Sequence, residues 1–168
     1  LSNTPEHWSD ITIRQLLNHT SGIRSYTTMN NGRGFELTER LTEKQFIERL
    51  ATEPLVNQPG DTWKYCNSSY NLLTYIIENV SGKDYFEFLG ERIFTPLGMT
   101  STTNREPSII VPFRASGYEK TRSGKWVNRD YDLTDLRGAG AVISTVGDMA
   151  KWDAALYTND ILTEKSKE

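Results

Sequence analysis

The chain has 168 residues, 36% of them hydrophobic and 24% charged, which is enough for one domain with a core and too apolar for a disordered segment. A formal net charge of −3 and a pI near 5.5 supply no basic face for nucleic acid or an anionic membrane surface. Cys66 stands alone, so an internal disulfide is excluded, and no apolar run reaches the ~20 residues of a membrane-spanning helix.

The chain opens on Leu1 with no signal peptide, as a processed protein or an excised fragment would, and 1–168 reads as a single domain or fragment. Thr12 is placed to cap a short helix over Ile13–Asn18, with Ile13, Leu16 and Leu17 on one face. Gly22 is the expected left-handed stop after it. Arg24–Thr38 is polar and reads as a long surface loop. Thr42 with Gln45 forms a capping-box pattern, and Phe46, Ile47 and Leu50 give the helix that follows its buried stripe before Pro54. After the Pro59-Gly60 turn, Asn67 or Ser68 is placed to cap an apolar helix carrying Leu72, Leu73, Tyr75, Ile76, Ile77 and Val80, which Gly82 stops.

A further helix is expected from Asp84 to Phe94, ending near Pro96-Leu97-Gly98, and 99–112 reads as loop. Ala115–Glu119 and Lys125–Asn128 flank a glycine turn and predict a small hairpin. The run Gly138-Ala139-Gly140 allows close backbone approach. Thr145 with Asp148 starts a last helix bearing Met149, Trp152, Ala155 and Leu156. The expected fold class is mainly α with a small β-hairpin, an α+β pattern.

Tyr65-Cys66-Asn67 carries the most chemical information. A phenol moves protons, and a carboxamide grips an amide carbonyl or an ammonium. Asn67 fits a helix N-cap equally well. Ser68 and Ser69 lack both a nucleophile elbow and a base, and read as caps rather than nucleophiles. His7 and His19 match no zinc or triad spacing, and His19 is expected to hydrogen-bond within its own Asn-His-Thr-Ser-Gly turn. Cys66 reads as a small core residue. Neither a cofactor nor a metal site is expected.

Four ordered blocks go beyond generic patterning: Ile11 to Ile23, Pro59 to Leu73, Glu91 to Met99, and Gly138 to Trp152. Together they resemble the serine β-lactamase-like hydrolases, the group of class C β-lactamases, D,D-carboxypeptidases, D-aminopeptidases and related esterases. The resemblance implies three motifs: Ser-x-x-Lys with the nucleophile, Tyr-x-Asn, and a Lys-Thr-Gly or His-x-Gly strand. Only the second is present, as Tyr65-Cys66-Asn67. The nearest miss to the first is Ser21-Gly22-Ile23-Arg24, whose guanidinium cannot accept a proton. Lys120-Thr121-Arg122 lacks the glycine of the third.

The resemblance therefore implies the central helical region of a β-lactamase/transpeptidase-like fold, lacking most of the α/β region. It implies that Tyr65 is a general base once cations stabilise its phenolate, since an unperturbed phenol titrates near ~10. Asn67 would orient a substrate carbonyl. Tyr118 would contact substrate at the rim, the alternative being exposed hairpin packing. The partner implied is a small-molecule or peptide substrate of the parent protein, with self-association through the truncated face as a further expectation, and relatives commonly work in the periplasm or outside the cell. A second class of reading keeps the scaffold as a non-catalytic helical module for binding or oligomerisation.

Overall fold

The computed structural model describes residues 1, 3–29, 41–105, 108–129 and 136–167. Helix accounts for 44% of the described residues and strand for 7%, in agreement with the mainly α expectation. In chain order the elements are α1 (Ile13–Leu17), α2 (Glu43–Ala51), α3 (Asn67–Ser81), α4 (Tyr85–Leu89), β1 (Thr103–Asn104), β2 (Tyr118–Lys120), β3 (Trp126–Asn128), α5 (Arg137–Gly140), β4 (Val142–Ile143), α6 (Val146–Ala155) and α7 (Glu164–Lys167). Single 3-10 turns lie at Glu6–Trp8 and Tyr26–Thr28.

Both expected capping boxes form. The Thr12 hydroxyl accepts from Gln15 N while the Gln15 side chain accepts from Thr12 N, and Thr42 and Gln45 repeat the arrangement, meeting two orphan donors at each helix start. α1 does not stop at Gly22. His19 takes the left-handed conformation one residue past the helix cap, at φ +61°, and Thr20 N donates back to Gln15 O at 2.9 Å, the wide closing bond of a Schellman-type end. Gly22 also has positive φ, but its role is proximity: a Cβ there would lie 2.2 Å from Asn57 O.

α3 is the central element, with α1, α4, α5 and the Tyr26 turn packed against it. Leu72 and Tyr75 face the core beside Phe46, Ile47 and Leu50 of α2 and Tyr26. Tyr26 lies fully inside, so the surface-loop reading fails over Ser25–Met29, most of which is buried; the rest of that expected loop, 30–38, lies outside the described residues. Val80, expected on the apolar face of α3, is solvent-exposed. Gly82 ends α3 in the left-handed conformation, as expected.

Asn67, Asn71, Thr74 and Glu78 form a polar stripe along α3 at helical spacing, and it faces inward rather than to water: Asn71 and Thr74 are buried and Glu78 is half-buried. α5 covers part of this stripe. A Cβ on Gly138 would lie 2.3 Å from Thr74 Oγ1 and 2.6 Å from Tyr70 O, so only glycine admits this approach. Arg137 fixes the contact, donating from both terminal nitrogens to Glu78 and at 3.0 Å to Asp84. Burial works against the guanidinium charge, but the hydrogen bond and charge of Glu78, with Asp84 behind it, hold its pKa above the ordinary value.

The expected Asp84–Phe94 helix is α4 followed by a single π-helical turn, Gly90–Phe94, in which Thr95 N reaches back five residues to Gly90 O. The expected hairpin forms as β2 and β3. A second two-stranded sheet was not foreseen: β1 pairs antiparallel with β4, Thr103 opposite Ile143 and Asn104 opposite Val142. Its first strand lies in the stretch expected to be loop.

Candidate active-site wall around Tyr65 and Asn67

The residues after α1 run alongside those before α3. Three backbone bonds join them: Lys64 N to His19 O at 2.9 Å, Gly60 N to Thr20 O at 2.8 Å and Val56 N to Gly22 O at 2.8 Å. The Cys66 thiol, buried as expected, donates to Ile23 O at 3.2 Å. This pairing brings Tyr65 to the surface at the start of α3, where it is 56% exposed. Its ring packs on the His19 imidazole with centroids 4.7 Å apart, and the same imidazole lies 5.1 Å from Tyr70 and 6.1 Å from Trp63.

Asn67 is the first residue of α3, not its cap. Cys66 holds the cap position and makes no side-chain cap bond. The Asn67 amide instead donates to Thr27 Oγ1 at 3.2 Å, while its backbone N–H donates to Ser25 Oγ at 3.2 Å; Ser25 and Thr27 are themselves joined at 2.9 Å. One amide hydrogen is thus used to fix the carboxamide plane. Oδ1 and the second hydrogen carry no hydrogen bond among the described residues, so they can serve a ligand carbonyl or a cation.

The serines beside this pair are structural. Ser68 Oγ accepts from Tyr26 N and donates to Arg24 O, both at 2.8 Å, and Ser69 Oγ meets Ser21 Oγ at 3.1 Å. Both are fully buried, so neither caps α3 nor meets solvent. The Ser21–Arg24 near miss is equally occupied, since Arg24 pairs with Glu53 at 3.2 Å. His19 does not bond within its own turn: its Nδ1 accepts from Cys66 N at 3.3 Å, across 47 residues of sequence.

Tyr118 stands on β2, 67% exposed, and no hydrogen bond or ring contact joins it to Tyr65 or Asn67 among the described residues. A separate cavity of about 900 Å³ opens between the β1–β4 sheet and the 109–117 segment, with Arg105, Ile109, Phe113, Arg129, Val142 and Ser144 among its walls. Tyr65, Asn67 and Tyr118 are not part of it. Near its edge, buried Asp148 on α6 accepts from Ser101 N at 2.7 Å, Thr102 Oγ1 at 2.9 Å and Lys151 Nζ at 2.9 Å. The Lys151 bond leads in holding the Asp148 carboxyl below the usual range, Thr102 and Ser101 add to it, and burial opposes them. Thr145 caps Asp148 N as expected, but the Asp148 side chain turns to the 101–102 loop instead of closing a box.

Among the described residues, no three His, Cys, Asp or Glu side chains converge as a metal ion would require, and no helix is long and apolar enough to cross a membrane.

Residues 2–168 match the family model described as Beta-lactamase. The chain belongs to the Beta-lactamase family. Within that family, PbpX of Bacillus subtilis (strain 168) is 34% identical over 158 residues, covering 94% of this chain and 38% of the relative. A D-amino acid amidase from Ochrobactrum anthropi SV3, solved with D-phenylalanine, superposes with a TM-score of 0.78 at 27% identity over 94% of this chain and 47% of its own. A penicillin binding protein from Bacillus halodurans gives 0.77 at 26% identity over 99% and 52%. The chain thus spans about two fifths of its curated relative and about half of each solved one, which agrees with the expected central helical region of a β-lactamase-like fold.

The sequence singles out Tyr65 and Asn67 as candidates but not the residues that hold them, His19, Ser25 and Thr27. The hydroxyl run Ser25-Tyr26-Thr27-Thr28 was the available signal.

Proposed function

We propose that this chain forms the helical wall of a serine hydrolase that cleaves an amide or ester bond, in a β-lactam, a D-amino-acid peptide or amide, or a simple ester. The serine of a Ser-x-x-Lys motif outside these residues attacks the acyl carbon. The Tyr65 phenolate takes the proton of that hydroxyl and passes it to the leaving amine or alcohol. Water then attacks the acyl-serine and gives its proton to Tyr65, which passes it to the departing serine Oγ, so that the acid is released and the hydroxyl and phenolate are restored. Asn67 orients the acyl-amide carbonyl through its amide N–H, and Tyr118 is a rim contact for the distal part of the substrate.

One observation carries this reading: a tyrosine with more than half its surface open, on a backbone pinned to the neighbouring segment, two residues before a carboxamide that is itself held in plane. The similarity to a D-amino acid amidase supports an amide substrate. The 168 residues alone, having no Ser-x-x-Lys, are proposed to turn over nothing.

The test is hydrolysis of a chromogenic cephalosporin, a D-amino-acid p-nitroanilide and a p-nitrophenyl ester by the full-length protein. Tyr65→Phe should lower kcat by about 10²- to 10⁴-fold, the usual contribution of a positioned proton-transfer group. Unchanged turnover in that variant would remove Tyr65 from the mechanism.

A second reading rests on the exposed apolar side chains of α6 and its end, Val146, Met149, Leu156 and Tyr157. They suit a covering surface, either the α/β region of the parent protein or a second copy. Light scattering on the full-length protein separates the two, a monomer favouring the first.

A further inference from the structure

We propose that His19 is a positioning residue for Tyr65, an inference that rests on the reading of Tyr65 as the base. His19 grips Tyr65 from both sides of the chain. Its carbonyl accepts from Lys64 N, the residue before, and its Nδ1 accepts from Cys66 N, the residue after. Between these two bonds its ring lies against the phenol ring at 4.7 Å. The Tyr65 hydroxyl makes no hydrogen bond among the described residues, so backbone attachment and the imidazole face set the direction in which it points.

The geometry asks for histidine on three separate grounds. The backbone is left-handed, at φ +61°, a conformation that bulky side chains resist and that His, Asn and Asp enter more readily. Thr20 N to Gln15 O locks the helix end that creates this conformation. An acceptor must stand at Nδ1, so the neutral imidazole carries its proton on Nε2. Finally, a flat ring must fill the space between Tyr65, Tyr70 and Trp63. Asparagine satisfies the first ground and offers an acceptor oxygen. Phenylalanine satisfies only the last.

The full-length protein is compared as wild type, His19→Phe, His19→Asn, Tyr65→Phe and the His19→Phe/Tyr65→Phe double variant, with thermal stability recorded for each. His19→Phe should lower kcat at least about tenfold with KM nearly unchanged, the signature of a misdirected reacting group, and His19→Asn should recover most of that loss. The double variant should be no slower than Tyr65→Phe alone, since aiming a phenol is worthless once its hydroxyl is gone. Losses that multiply, or wild-type kcat in a folded His19→Phe, overturn the proposal. A nitrogen-15 spectrum of the wild-type imidazole decides the geometry independently of turnover: an unprotonated Nδ1 supports the clamp and a protonated one overturns it. Should Tyr65→Phe prove fully active, the hydrolase role of Tyr65 falls, and that spectrum still judges the clamp.

Discussion

The stretch from Trp8 to Leu89 and the stretch from Met99 to Lys167 use apolar residues in opposite ways. In the first, Leu16, Ile23, Tyr26, Phe46, Ile47 and Leu72 close around α3 into one core. In the second, Leu136 is the one buried side chain among the described residues that joins that core, while Ile110, Phe113 and Val146 stand open to solvent, Val146 at 90%. The first stretch holds most of the core, with α5 closing one side of it, whereas the rest of the second combines short helices with two-stranded ladders and leaves these apolar side chains uncovered among the described residues. Tyr65 and Asn67 sit on the first. The proposed roles of Tyr65 and Asn67 need rigid support, and the better-packed stretch supplies it.

Truncations in the two stretches should therefore differ most. Leu72→Ala should cost about 2–5 kcal/mol in urea denaturation, as buried leucines do, while Val146→Ser should stay within about 0.5 kcal/mol. Similar losses at both positions would erase the distinction. The seam where α5 meets α3 should be the next most sensitive. Gly138→Ala places a methyl against Thr74 and the Tyr70 carbonyl, and a loss of about 1–3 kcal/mol is expected from overpacking.

Asp148 gives a pH signature. Its carboxyl is held below the ordinary range, so the unfolded chain binds the proton more tightly. The stabilisation is present above the unfolded carboxylate pKa of about 3.9 and is lost as pH falls through the lower folded value. Asp148→Asn should therefore shift the urea midpoint at pH 7 more than at pH 3. Equal shifts would mean that the Lys151, Thr102 and Ser101 bonds contribute nothing that depends on charge.

The helix starts were legible because Thr12 with Gln15 and Thr42 with Gln45 are local, and the stop at Gly82 needs only a left-handed residue. Features that depend on distant partners were not. The β1–β4 ladder joins residues about 40 apart with only two pairs, too short to leave a periodic trace. Tyr26 is buried by helices on both sides of it in sequence, so its polar neighbours misled. Gly22 drew the helix stop away from His19 because glycine is the usual left-handed residue, yet here it is needed for closeness to Asn57. At the candidate site the tyrosine and asparagine stand out only through the resemblance of the blocks around them, while the histidine that holds one and the threonine that holds the other come from segments 40 or more residues upstream.

The most direct test of the hydrolase account is to trap the acyl-enzyme. The full-length protein is treated with a β-lactam or an activated ester, and the adduct is located by peptide mass spectrometry in wild type and Tyr65→Phe. The expected result is an ester on the serine of a Ser-x-x-Lys sequence outside these 168 residues, formed far more slowly without the phenol. An adduct on Ser68 or Ser69, or one that forms at the same rate in Tyr65→Phe, would contradict it.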